Sequence, residues 1–171
     1  MIGNLLRYGI TFLFLIFLEV FVVAKFNIHF YVNPHVYILF IIVLPVATGR
    51  HLMLFLGFLM GFMLDQFMGT GGLHASATLI MASLRGTLLG AFAPREAFGR
   101  EHFLSIERFG LVNFLLYCGF MILIHHFFLF LFELFTFRNF LFTLLRTLFS
   151  GLLSLVLITG LHMLISRKKS T

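Results

Sequence analysis

Leu56–Gly90 reads LGFLMGFMLDQFMGTGGLHASATLIMASLRGTLLG. Two apolar runs flank a short glycine turn, Met68-Gly69-Thr70-Gly71-Gly72, which has no charge and little bulk. Gly57, Gly61 and Asp65 recur every four residues, so on a helix they share one drifting stripe. Ala82, Gly86 and Gly90 repeat that interval in the second run. Small residues at this spacing let two helices approach closely in lipid. Asp65 is the only aspartate of the chain. An unpaired carboxylate at membrane depth costs roughly 2.5–3.5 kcal/mol on insertion scales. A chain that keeps one must use it, pair it or protonate it.

Working outward, the whole chain has the same apolar character. Its 171 residues are 61% hydrophobic and 11% charged, with 26 Phe and no Trp. No soluble domain of this size has interior enough for so much apolar surface. The expected class is therefore an all-α integral membrane protein, one transmembrane domain over residues 1–171. The single Cys118 lies inside an apolar run and reads as a small buried hydrophobe. The net charge of +6 is scattered at segment ends, with no basic stripe interleaved with aromatics, so no nucleic acid is expected as a partner.

The apolar runs predict six helices, at about 8–24, 35–47, 52–67, 73–92, 109–132 and 140–165. Glu19 inside the first run argues for a retained helix rather than a cleaved signal. Lys25–Asn33 is a connection with Phe26, Phe30 and Tyr31 at interface depth. Asn33-Pro34 reads as an N-cap followed by proline at the first helical position. The helix it opens would be only roughly 20 Å long at 1.5 Å per residue. Such a helix must be buried among its neighbours or sit in a thinned bilayer. Pro94 stops the fourth helix, and Pro94–Arg108 is the longest polar segment. Asn139 can cap the sixth helix.

Six crossings put both termini on one side. Arg7, Arg50, Arg95, Arg100, Arg108, Arg167, Lys168 and Lys169 fall on that side, against Lys25 and Arg138 on the other. Both termini are thus expected in the cytoplasm, with the glycine turn facing outward. Asp65 then lies one turn from the outer end, and Arg146 about two turns into the sixth helix from the same end. Two roles are open for Asp65: an internal pair with Arg146, or a direct partner or ligand contact. Arg85 lies within snorkelling reach of the cytoplasmic interface.

Residue counts argue against catalysis. An intramembrane aspartyl site needs two aspartates sharing a proton, and this chain has one. A rhomboid-like serine would show Gly-x-Ser-Gly, whereas the nearest string is Leu148-Phe149-Ser150-Gly151. His125 and His126 are adjacent, about 100° apart on a helix, and read as interface histidines rather than ligands of one metal. No catalytic residue, cofactor or metal site is expected. His74, which opens a helix beside the glycine turn, is open to a capping role or a functional contact. For Gly57, Gly61, Gly86 and Gly90 the plain reading is close packing within the bundle.

The same stretch resembles the signature of the rod shape-determining protein MreD family. That signature is a glycine-bearing helix ending in Gly-x-x-x-Asp, a short Gly-containing turn, and Gly-Leu-His-Ala opening the next helix. Here these are Gly61-Phe-Met-Leu-Asp65 and Gly72-Leu73-His74-Ala75. Glu19-Val20, Phe26-Asn27-Ile28, Asn33-Pro34 and Leu44-Pro45 resemble further parts of the pattern, with Glu19 standing where glutamine is commoner. The likeness is most specific over about a third of the chain.

The resemblance implies a non-enzymatic bacterial inner-membrane subunit of the cell-elongation machinery that builds lateral peptidoglycan. Its implied partner is the bitopic protein MreC. Through MreC the subunit would link to a RodA-type glycan polymerase, its partner transpeptidase, and MreB. The implied fold is a six-transmembrane-helix bundle similar to the substrate-binding component of energy-coupling-factor transporters. The residues expected to form the partner-binding or structural motif are Gly57, Gly61, Asp65, Gly69, Gly72, His74 and Arg146. The lipid bilayer and a second copy of the chain are the remaining candidate partners. The alternative function is a small-solute or vitamin-binding transport component, with Asp65, His74 and Arg146 near the mouth of the bundle.

Overall fold

A computed structural model describes residues 2–25, 32–93, 106–134 and 140–167. Every element among them is helical: α1 (Ile2–Phe21), a 3-10 turn (Val23–Lys25), α2 (Leu39–Val43), α3 (Arg50–Met68), α4 (Leu73–Phe92), α5 (Ile106–Phe109), α6 (Leu111–Leu134) and α7 (Phe140–Arg167). Five of these helices are long and apolar enough to cross a bilayer, which makes the chain a multi-pass membrane protein. The aromatic connection at 26–31, the bulk of the polar segment at 94–105, Arg138 and the Asn139 cap lie outside the described residues.

The long helices pack in chain order, α3 on α4, α4 on α6 and α6 on α7, with α1 against α3. Half of the most apolar α6 window is buried within the bundle, against 22% for α1, so α6 is the inner stave and α1 an edge. The outward faces of α1, α3 and α7 carry Leu13, Phe17, Phe55, Phe62, Leu152 and Val156, all exposed, as lipid-facing surfaces require.

The second predicted helix is corrected. Instead of a helix over 35–47, the chain runs irregularly from Asn33 and becomes α-helical only at Leu39–Val43. The N–H groups of Asn33 and His35 donate to Ser150 Oγ (3.0 Å) and Ser154 Oγ (2.8 Å) on α7. Two residues therefore advance about one helical turn, roughly 6 Å, which is near-extended backbone. That conformation supplies the reach that a short helix lacks. Asn33 does not cap the helix, whose N-cap is Ile38 with no side-chain bond. Residues 36–42 are all at most 3% exposed, so the stretch forms the centre of the bundle.

Arg85 also departs from expectation. It is 2% exposed and turns inward, with Nη2 donating to the Leu44 carbonyl and Nη1 to that of Pro45 (3.5 Å). The carbonyls left free where α2 ends are a nearer and better-aligned partner than the interface.

Gly57 and Gly61 face α4. A Cβ on Gly61 would lie 2.5 Å from the Ala75 Cα and N and from the His74 carbonyl oxygen. One on Gly57 would lie 2.9 Å from the Ala82 Cβ. These glycines set the α3–α4 separation, as close packing requires. Gly86 and Gly90 have open space where a side chain would go, so of the α4 half of the stripe Ala82 takes part in the close approach and these two glycines do not.

Candidate functional site

The α3–α4 corner is built by one carboxylate. Gly72 is the N-cap of α4 at φ 98° and has no side chain to offer the first N–H groups. Asp65 takes that task from the preceding helix. Its Oδ1 accepts from His74 N (3.0 Å) and its Oδ2 from Ala75 N (2.9 Å), the N2 and N3 positions an N-cap side chain serves. The Thr70 hydroxyl donates to Oδ1 at 2.5 Å, and His74 Nδ1 stands 3.1 Å from the same oxygen. Gly69, at φ 68°, ends α3 in the left-handed conformation, its N–H donating to the Asp65 carbonyl at 2.8 Å. The glycines at 69 and 72 are needed because residues with a Cβ are strained at such angles.

The expected Asp65–Arg146 pair is therefore not formed. Arg146 is engaged elsewhere: Nη1 meets Glu133 Oε2 at 2.9 Å, and the guanidinium lies 4.1 Å over the Phe130 ring. With the Asn33 amide turned to match its neighbours, its oxygen also accepts from Arg146 Nη2 at 2.5 Å. Opposite charge and similar depth suggested Arg146 as a partner for Asp65, but four donors within ten residues of Asp65 satisfy it first. The glycine stripe is likewise unavailable as an open docking face, because α4 covers Gly57 and Gly61.

Arg146 and His74 still meet at one feature. A cavity of about 220 Å³ opens at the end of the bundle where α1 finishes, α3 turns into α4, and α6 faces the start of α7. Its polar lining is Asn33, His35, Thr70, His74, Glu133 and Arg146. Leu73, Leu129 and Phe130 supply apolar wall.

Behind the cavity lies a buried polar core that the sequence reading did not bring together. Glu19 is fully buried. Its Oε1 is 2.6 Å from His35 Nδ1, and its Oε2 accepts from Val36 N (2.8 Å) and Tyr37 N (3.3 Å). His125 and His126 are also fully buried, not at an interface. His125 Nε2 contacts the Tyr37 hydroxyl at 2.5 Å, while His126 bridges the Ile122 carbonyl (2.9 Å) and Ser154 Oγ (3.1 Å). The available signal was the all-round apolarity of α6, which marks a helix buried on most faces. His35 and Glu133 had no local signal; the fold brings them to the cavity.

The arrangement offers hydrogen-bond acceptors, one guanidinium and a wall of mixed polarity. Among the described residues no group of three His, Cys, Asp or Glu side chains is placed to hold a metal ion by itself. In comparisons with family models, curated proteins and solved structures, nothing matches this chain.

Proposed function

We propose that this chain is a non-enzymatic inner-membrane subunit of the bacterial cell-elongation complex, of the MreD kind, that binds MreC and supports lateral peptidoglycan synthesis. The observation that carries the reading is the α3–α4 corner. Gly61, Asp65, Gly72, His74 and Ala75, the residues on which the resemblance rests, all act in one joint. A motif that builds a rigid intramembrane corner suits a subunit working through its surfaces.

In this reading the chain crosses the membrane six times, with the stretch from Asn33 to Pro45 as the short crossing and both termini cytoplasmic. The charge distribution supports that orientation. The bundle is similar in plan to the substrate-binding component of energy-coupling-factor transporters. MreC reaches the corner through Gly69–Gly72, whose Gly69 and Gly71 are exposed, and not through the covered glycine stripe.

The test is a detergent pull-down with MreC, normalised to membrane level. Retention of MreC by the natural chain, and its loss when the turn is replaced by a bulkier loop, is the expected result. Full retention by the turn variant moves the interface elsewhere. No retention by the natural chain rejects the reading. The 220 Å³ cavity favours small-solute capture as a second reading. A small molecule bound stoichiometrically to the purified chain would select it.

A further inference from the structure

We propose that the cavity binds a small zwitterion, a solute or lipid head group that carries a primary ammonium and an acid anion on a short carbon spacer, held by Glu133 and Arg146. This assignment rests on the second reading above, capture of a small molecule in the cavity, and narrows it to one chemical class. It is independent of MreC binding.

Charge selects the class. Among the described residues Glu133 is the only acid in the wall of the cavity, and Arg146 the only Lys or Arg. They meet each other, with Arg146 Nη1 at 2.9 Å from Glu133 Oε2. The remaining charged groups of this end are engaged elsewhere. Glu19 and Asp65 accept from backbone N–H groups behind the wall. Lys25 is exposed, one residue past the lining Ala24, and is not part of the wall. His35 and His74 do line the cavity, but each has Nδ1 beside a carboxylate, 2.6 Å from Glu19 and 3.1 Å from Asp65. A positive charge on either ring is therefore answered by its own acid. What the cavity offers a ligand is one cation and one anion side by side. A bare anion would meet Glu133, and a bare cation would meet Arg146. A ligand bearing both signs lies antiparallel to the pair, is attracted at both ends, and leaves the pair intact.

Neither partner is used up. A guanidinium has five N–H donors in a planar fork. Arg146 commits one to Glu133 and, with the Asn33 amide turned, one to the Asn33 oxygen. The Phe130 ring covers one face of the guanidinium, which leaves the edge of the fork for in-plane bonds to carboxylate or phosphate oxygens. Glu133 Oε1 has no protein partner among the described residues. The Glu133 side chain is 42% exposed and that of Arg146 8%. The acid end of the ligand thus goes to a fixed, nearly buried cation, and its ammonium to a carboxylate that opens outward. A primary ammonium donates hydrogen bonds to that carboxylate; a trimethylammonium has none to give.

Size narrows the class further. At about 220 Å³ the cavity is smaller than the roughly 300–1,000 Å³ of pockets for drug-sized ligands. Because the two protein charges touch, the two ligand charges must also lie close. Free amino acids, phosphoethanolamine and the head group of phosphatidylethanolamine share that pattern. The cavity opens at the end of a membrane-spanning bundle, and Val23, Leu73 and Leu129 give it apolar wall. A solute can enter from water and a head group from the bilayer.

The experiment uses the full chain in two arms. In the first, nanodiscs contain equal parts of phosphatidylethanolamine, phosphatidylcholine and phosphatidylglycerol with matched acyl chains. Native mass spectrometry should find phosphatidylethanolamine retained in preference to the other two. In the second, calorimetry in detergent compares glycine with its trimethyl counterpart betaine, and phosphoethanolamine with phosphocholine. The primary ammonium member of at least one pair should bind about tenfold more tightly. Preference in the lipid arm alone makes the source a head group, and in the soluble arm alone a solute; both outcomes support the proposal. Arg146→Gln should weaken the preferred ligand about tenfold or more, as loss of a charge-assisted hydrogen bond does. Lys25→Gln should not. Glu133→Gln, at a half-exposed position, should narrow the gap between phosphatidylethanolamine and phosphatidylglycerol, or between the soluble pair members. No preference for the primary ammonium in either arm overturns the proposal. So does a loss in Lys25→Gln as large as in Arg146→Gln, or unchanged selectivity in a folded Glu133→Gln variant. A stoichiometrically bound compound that lacks an ammonium keeps small-molecule capture and overturns the zwitterion.

Discussion

Glu19 on α1 and Arg85 on α4 grip opposite ends of one central stretch. Glu19 accepts the N–H groups of Val36 and Tyr37; Arg85 donates to the carbonyls of Leu44 and Pro45. An acid thus sits at the amino end and a base at the carboxyl end, as the dipole of the enclosed turns favours. α2 has five residues, far too few to be stable alone. Its conformation is imposed from outside.

Glu19 should consequently tolerate an amide better than a truncation. Glu19→Gln keeps an acceptor for the backbone N–H groups and should cost about 1 kcal/mol. Glu19→Ala strands three buried donors and should cost about 3–5 kcal/mol. Thermal unfolding of purified variants in detergent checks the order. Equal losses would mean that the carboxylate is not what holds the stretch.

Asp65 and Arg146 should behave as strangers. Their double-mutant cycle to alanine should show a coupling below about 0.5 kcal/mol, whereas Asp65 with His74 should couple by about 0.5–3 kcal/mol. Asp65→Ala alone should lose about 2–3 kcal/mol through its stranded donors. Strong Asp65–Arg146 coupling in the same unfolding assay would restore the pair inferred from charge.

The glycines should rank by the space around them. Gly61→Ala pushes a methyl against α4 backbone and should cost about 1–3 kcal/mol. Gly57→Ala meets the Ala82 Cβ at 2.9 Å and the Thr78 carbonyl oxygen at 3.4 Å, a less severe overlap than the 2.5 Å contacts at Gly61, and should cost less. Gly86→Ala meets nothing and should be neutral or slightly stabilising, since alanine is the better helix former. Comparing melting temperatures of the three variants tests the ranking, and an effect of Gly86→Ala as large as that of Gly61→Ala refutes it.

Topology is open to a direct test. A periplasm-active reporter inserted at Thr70 should be active, and one fused after Thr171 silent. The opposite pattern would invert the proposed orientation.

The long helices were legible because their apolar runs end in strong punctuation. Residues 73–92 were bounded correctly from Gly72 and Pro94, and 52–67 fell within two residues of α3. The stretch after Asn33 was not legible. Its acceptors, Glu19, Ser150 and Ser154, are 16 to 119 residues distant, and local pattern cannot see them. Asp65 was recognised as a group needing a partner, with Arg146 as one open candidate, but its actual partners, Thr70, His74 and Ala75, were not named. The better clue was Gly72, a helix start with no capping side chain of its own. Arg85 was placed by its nearness to a boundary, when unsatisfied carbonyls one helix away had the stronger claim.

The bonds from Asn33 and His35 to Ser150 and Ser154 also bear on how the chain is made. A ribosome delivers residues 33–38 long before it delivers α7. Until then two backbone donors of this stretch lack their acceptors, and lipid supplies none. The stretch cannot settle at depth as an independent span when it leaves the translocon. It must wait in a more aqueous setting and enter late, after the last helix has arrived. Chains cut short before Ser150 should therefore be left with an unfinished centre, exposed to quality-control proteolysis even though most of their hydrophobic length is already inserted.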